Sequence, residues 1–237
     1  VYVFDADVFL FDDGRMAASV KSINVLDRFG TQRIGNKAAL RANLRAVGGE
    51  VFLPKAWSMK DVEALGAEGV EEIISSRSGE LPLWIAKHSG QEGGSGVQII
   101  HGTRALHSFI KDWTSYAEGP QYELYEYVQP PLLIDGRRFS IGVFVLVTSI
   151  DPLIVWLYTE DYLVLVCLEA FKPVENTTSP EMHLTNGVVL SSSPRYSREA
   201  NKLNRRKMKD VFGSEDEGRI WHQIENITAH VFIGFVD

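Results

Sequence analysis

Apolar and polar positions along the chain alternate with two different periods. From Asn36, the residues Ala39, Leu40, Leu44 and Val47 recur at helical spacing, which predicts an amphipathic helix ended by Gly48-Gly49. Ser58 with Asp61 three positions on predicts a capped start to a second helix through Val62 and Leu65. Strand-like runs are more numerous. Residues 1–11 predict a strand or hairpin closed by the turn Asp12-Asp13-Gly14, and Val51, Phe52 and Leu53 predict a short strand stopping at Pro54. Further strands are expected at 83–87, 97–100, 123–128, 139–147, 154–158 and 162–167, with a helix over 101–112. Between the first two of these runs a Gly-rich loop covers 89–96. Strand, glycine loop, strand, helix is not the strand, loop, helix order of doubly wound nucleotide folds. Successive short strands joined by tight turns favour antiparallel sheets, hence an α+β class. Residues 171–194 read as loop, 198–212 and 217–229 as helices, and 231–237 as the beginning of a strand. The Ser, Gly and Pro content of 75–82 marks a linker, dividing an N-terminal α/β lobe (1–80) from a second region (81–237).

Composition narrows the class of function. At 237 residues and 45% hydrophobic content the chain can bury a sizeable core, and a net charge of −7 argues against generic nucleic-acid binding. The basic run Arg195, Arg198, Lys202, Arg205, Arg206, Lys207 and Lys209 is either a solvated helix face or a dock for an acidic peptide. Cys167 stands alone, so neither an intrachain disulfide nor a multi-cysteine metal site can form. The longest apolar stretch, 141–158, is interrupted by Thr148, Ser149, Asp151 and Pro152 and is too polar for a membrane span. Sequons at Asn176 and Asn226 would matter only in a secretory lumen.

Three clusters could carry chemistry. Lys87 ends a strand directly before Gly90, Gly93, Gly94 and Gly96; such a loop lets backbone N–H groups approach phosphate while the ammonium supplies charge, although a Gly-rich hairpin beside a surface lysine explains the pattern equally. Tyr125, Glu126, Tyr127 and Val128 precede Pro130-Pro131; an edge strand there would offer backbone groups to a flat heterocycle, and a half-buried strand needs the same alternation. His183-Leu184-Thr185-Asn186 could hold ribose, phosphate or metal-bound water, or be an ordinary polar loop.

Taken in order, these clusters resemble the tubulin-tyrosine-ligase-like family. The matching text is 83–87 with its glycine loop, 131–139 (Pro-Leu-Leu-Ile-Asp-Gly-Arg-Arg-Phe), 145–149, 151–153 and His183 to Asn186, with weaker echoes at 36–40 and 52–55. The resemblance implies an ATP-grasp fold, incomplete at its C-terminus, in which β-rich lobes clamp ATP. It implies ligation of an amino acid, glutamate before glycine or tyrosine, to tubulin through an acyl phosphate. Lys87, Gly93 and Gly94 would then meet phosphates, Tyr125, Glu126, Tyr127 and Val128 would line adenine, Arg138 would replace a nucleotide-binding lysine, and Thr185 and Asn186 would touch the nucleotide. The implied partners are ATP, Mg²⁺ and the acidic tails of tubulin or microtubules, in the cytoplasm at the cytoskeleton.

Departures from the family pattern favour an alternative, a catalytically defective pseudo-ligase serving as a nucleotide-binding or microtubule-associated regulatory module. Ser140 and Gly142 stand where the family has Asp and Arg, and Val164 where it has a second substrate-binding Arg. A preorganised cation at a transferring oxygen contributes on the order of 3 kcal/mol. The family's Mg²⁺ ligands fall beyond this chain, save that 232–237 resembles the strand bearing the first of them and makes Asp237 a candidate metal ligand.

Overall fold

The computed structural model describes residues 34–75, 82–88, 96–115, 122–172 and 179–236. The expected strand at 1–11, the linker at 76–81, Gly93 and Gly94, the Asn176 sequon and Asp237 lie outside them.

Helix α1 (Lys37–Ala46) begins where Asn36 Oδ1 accepts the N–H groups of Ala38 (3.0 Å) and Ala39 (3.1 Å). It gives way at Gly48, whose φ of 74° is one that L side chains resist. The strand expected at Val51 to Leu53 is instead a 3₁₀ turn, Gly49–Phe52. Val51 is exposed and no neighbouring strand pairs with it, so β-propensity has nothing to act on. Strand β1 (Ala56–Ser58) leads into α2 (Met59–Ser75) through a reciprocal cap: Ser58 N–H donates to Asp61 Oδ2 at 2.7 Å and Asp61 N–H to Ser58 Oγ at 3.2 Å. Strands β2 (Leu83–His88) and β3 (Val97–His101), helix α3 (Gly102–Ser115) and strand β4 (Tyr122–Glu126) follow.

The single β run expected over 139–147 is two strands, β5 (Phe139–Gly142) and β6 (Val145–Ile150). A glycine ends the first, and the two join different sheets. Strands β7 (Leu153–Leu157) and β8 (Leu163–Val166) come next. The expected loop of 171–194 contains two short helices, α4 (Pro180–His183) and α5 (Gly187–Ser191), each under two turns and so without readable periodicity. Helix α6 (Arg198–Asn201) and strand β9 (Lys202–Asn204) replace the first half of the helix expected from Arg198. Helix α7 (Arg205–Val236) breaks at Gly213 (φ 80°, ψ 162°) and then continues. Its end corrects the reading of 231–237 as a strand. Val231, Phe232 and Phe235 are buried at helical spacing, in one cluster with Ile34 and Leu44.

The described chain forms two compact units, each built from separate stretches, where the sequence suggests consecutive lobes meeting near residue 80. One draws on residues 34–53, Ile141–Leu163 and 204–236; the other on 54–140 and Val164–Leu203. In the first unit the antiparallel ribbon β6-β7 lays Val145, Val147, Leu153 and Val155 on the cluster of α1 and α7. In the second a sheet ordered β1-β4-β2-β3 is antiparallel throughout, and Trp84, Ala86, Ile100 and Leu124 from one of its faces pack with Val62 and Ile73 of α2 and Leu106, Ile110 and Trp113 of α3. A third sheet is ordered β5-β8-β9. Among the described residues no helix is long and apolar enough to cross a membrane.

Candidate nucleotide-binding site

The described candidates all belong to the second unit. Lys87 pairs with Glu123 on β4 and Val97 on β3, and Ile85 pairs with Tyr125. Because side chains alternate across a strand, Ile85, Lys87, Glu123 and Tyr125 share the face opposite the helix-covered one. There Lys87 Nζ stands 4.5 Å from the Tyr125 ring centroid, and the Tyr125 hydroxyl donates to Glu123 Oε2 at 2.5 Å. A buried carboxylate thereby fixes the ring beneath the ammonium. The base of the glycine loop is closed by His88 N–H donating to Gly96 O at 3.0 Å, so Lys87 sits one residue from that turn.

Residues 125–128 are placed differently from the edge strand that the sequence suggests. Strand β4 is interior, between β1 and β2. Glu126 N–H is taken by Lys55 O at 2.8 Å and Tyr127 N–H by Leu83 O at 3.4 Å. Glu126 alternates onto the face of Trp84, away from Lys87, and Val128 is the exposed end of the segment.

Tyr127, only 2% exposed, is the centre of a second group. Its hydroxyl lies 2.7 Å from His183 Nδ1 and also receives a hydrogen bond from Arg138 Nη1. The Arg138 guanidinium covers the Tyr127 ring at 4.4 Å, and Phe171 lies parallel to that ring at a centroid separation of 6.2 Å. Burial pushes the Tyr127 phenol up to about 12, against the opposing pull of Arg138. Arg138 is thus a cation held by aromatic partners. Of the loop quartet, His183 closes α4 and Asn186 caps α5, its Oδ1 accepting from Val188 N–H at 2.8 Å; Thr185 lies half-buried between them.

Lys87 beside the glycine turn and Arg138 over Tyr127 are two cations of one unit, each of a type that can pair with an anion. Among the described residues no group of three His, Cys, Asp or Glu side chains comes together. Burial also pushes the Cys167 thiol up to about 11, so it remains a neutral core group. Val164 is fully buried, with no cation to present. Sequence reasoning overlooked Glu123 and Phe171. Glu123 was accessible as the residue two before Tyr125, hence on its face, whereas nothing local marks Phe171 as a neighbour of Tyr127.

A profile of the tubulin-tyrosine ligase family matches residues 28–234. Human tubulin polyglutamylase TTLL6 is 27% identical over 189 residues, 77% of this chain and 19% of that protein. Tubulin glycylase 3C of Tetrahymena thermophila is 32% identical over 112 residues, 47% of this chain and 10% of that protein. Mouse tubulin monoglutamylase TTLL4 is 25% identical over 191 residues, 78% and 15% respectively. The chain therefore spans a fifth or less of the length of these relatives. Among solved structures, the C-terminal domain of the ATP-grasp enzyme Pby1 from K. lactis superposes with a TM-score of 0.54 at 18% identity, covering 86% of this chain and 56% of that one. That likeness establishes the ATP-grasp fold, and the profile match over most of the chain makes it a member of the tubulin-tyrosine ligase family.

Proposed function

We propose that this chain is the nucleotide-binding part of an ATP-dependent ligase lineage that adds an amino acid, glutamate in the first instance, to tubulin at the cytoskeleton. The observation that carries the reading is Lys87, set on β2 over the Tyr125 ring one residue from the glycine turn, with Arg138 as a second cation in the same unit. An ammonium there meets phosphate as a point charge, and the planar guanidinium of Arg138 can offer two parallel donors. Thr185 and Asn186, beside His183, are the proposed ribose and phosphate contacts. ATP would supply the phosphoryl group that activates a carboxylate, with Mg²⁺ as the expected companion of its phosphates.

A second reading, nucleotide binding without ligation in a regulatory or microtubule-associated role, is favoured by one feature of the fold. Val164 alternates inward on β8, and Gly142 has no side chain, so neither expected substrate-binding cation exists. The two readings separate experimentally. Titration calorimetry with Mg-ATP is expected to show binding that Lys87→Ala weakens about 30-fold, the equivalent of about 2 kcal/mol for one charge-assisted contact. Equal affinities for the two proteins would remove the phosphate site. Labelled glutamate, glycine or tyrosine incubated with tubulin, ATP and the chain then decides: incorporation supports the ligase, and binding without incorporation supports the regulatory module.

A further inference from the structure

Both faces of the ribbon β6-β7 are apolar. Alternation sends Val145, Val147, Leu153 and Val155 onto the cluster of α1 and α7. Phe144, Leu146 and Thr148, with Ile154, Trp156 and Tyr158, therefore point the other way, and all six are exposed. They form one surface, because Leu146 pairs directly with Trp156 and Tyr158 N–H donates to Phe144 O at 3.0 Å. Leu146 and Trp156, at its centre, are each 62% exposed. An antiparallel sheet with one face on a core ordinarily turns polar residues to water. Here every member but Thr148 is large and apolar, and contiguous exposed patches of that kind mark interaction sites. Thr148 Oγ1 accepts Trp156 Nε1–H at 3.1 Å, so the indole meets its polar requirement within the ribbon and does not draw on water.

The charges of this stretch are of one sign. Between Phe139 and Phe171 the chain has no Lys or Arg, while Asp151, in the turn at one end of the ribbon, and Glu160, beyond the other end, are exposed carboxylates. An acidic peptide is disfavoured there. Strand β6, six residues long, spans about 20 Å, which about 13 residues of helix match. The inner face of the same ribbon already takes helices, so its pleat is one on which helices pack. The occupant that covers the outer face and answers its charges is an amphipathic helix with an apolar stripe and Lys or Arg near both ends.

We infer that the outer face of the β6-β7 ribbon, centred on Leu146 and Trp156, is a docking surface for a basic amphipathic helix of a partner protein. Trp156 is its anchor, the neighbouring aliphatic and aromatic residues supply contact area, and Asp151 and Glu160 select the sign of charge. All of these residues belong to the first unit and none is a nucleotide candidate, so the inference stands independently of the ligase reading.

The test uses the full chain and two fluorescently labelled helical peptides of about 14 residues, each with a Leu stripe on an Ala background. One carries Lys near both ends and the other Glu. Anisotropy titration at low salt is expected to show the Lys peptide binding about tenfold or more tightly than the Glu peptide. The apolar-face variant, Leu146→Ser with Trp156→Ser, is expected to weaken the Lys peptide about tenfold, whereas Val51→Ser, at an exposed apolar residue outside the ribbon, leaves it unchanged. Asp151→Asn with Glu160→Gln is expected to narrow the gap between the two peptides, and it carries the test if thermal melts show that the apolar-face variant unfolds. Peptides that bind alike or not at all, or variants that bind as wild type does, overturn the inference. Other occupants overturn it as well. A wild-type dimer in sedimentation that the apolar-face variant dissociates assigns the face to a second copy. A monomer in which Trp156 resists hydroxyl-radical footprinting before any peptide is added has the face covered by its own chain.

Discussion

Replacing Glu217 by alanine should be among the most damaging single changes in the first unit. The carboxylate side chain is 2% exposed and faces Arg205, 16% exposed, whose Nε donates to Oε1 at 2.7 Å. The Tyr162 hydroxyl donates to the same oxygen at 3.1 Å, and Arg205 N–H donates to Asp161 Oδ1 at 2.9 Å. The guanidinium lies 4.4 Å from the Trp221 ring, which stacks on Tyr162 at 5.9 Å and 8°. Burial, reinforced by the Glu217 charge, keeps the Tyr162 phenol protonated above its ordinary range, so its hydroxyl always has a hydrogen to place. Glu217→Ala leaves a buried guanidinium without its anion, at a cost of about 3–5 kcal/mol, and strands the Tyr162 hydroxyl for about 1 kcal/mol more. For a chain of this size each kcal/mol lowers the melting temperature by about 2–4 °C, so a fall of about 8–24 °C is expected in thermal melts. The companion variant Glu217→Leu, Arg205→Met, Tyr162→Phe removes the ion pair and the hydroxyl together, leaving only Thr159 O without its donor, and is expected to regain most of the loss. A single mutant that melts with wild type, or a triple mutant no better than the single, would refute the desolvation argument.

Gly234→Ala should also destabilise, because a Cβ there would come within 2.6 Å of Asn43 O and 3.0 Å of Asn43 C, backbone atoms that cannot swing aside; a loss of about 2 kcal/mol by urea titration is expected, and an unchanged midpoint would show that α1 and α7 can separate freely. Val164→Arg, which places a cation where the family resemblance expects one, should cost several kcal/mol and lower soluble yield, since the position is fully buried; a variant as stable as wild type would refute this. The Glu169 carboxyl is held below its ordinary value, first by a hydrogen bond from Ser179 and then by Arg195. A depressed folded-state value adds stability that is complete above the unfolded carboxylate range and is lost as pH falls through the folded value. Glu169→Gln should therefore flatten the stability curve below about pH 4.3 and leave neutral pH behaviour to the remaining contacts; an unchanged acid limb would remove Glu169 from it.

Local chemistry was legible wherever one residue decides the backbone. Asn36 and the Ser58–Asp61 pair start their helices as their side chains dictate, and Lys87 lies one residue before the end of its strand, where His88 N–H meets Gly96 O. The antiparallel character followed from short connections. What escaped depended on partners far away in the chain. Val51 to Leu53 has strand residues but no strand beside it, and 231–236 has a strand's composition but a helix's neighbours. The interior place of β4 is invisible locally, because β1 lies more than sixty residues earlier. For the same reason His183 read as a loop polar group: its partner Tyr127 is 56 residues away.

The distribution of cations makes binding and ligation separable properties of this chain on the proposed reading. Lys87 and Arg138 each rest on an aromatic ring, and each ring is hydrogen-bonded by a second side chain, Glu123 in one case and His183 in the other. Such cations are stabilised by the folded chain itself and can persist without a ligand. At the positions where the family resemblance expects substrate-binding cations the opposite holds. Val164 fills a fully buried site where a lone guanidinium would need a partner, and Gly142 occupies the end of β5 with nothing to pair. An arginine placed at Val164 would therefore need a counter-charge and room introduced with it, since an unpaired buried charge costs several kcal/mol of folding stability.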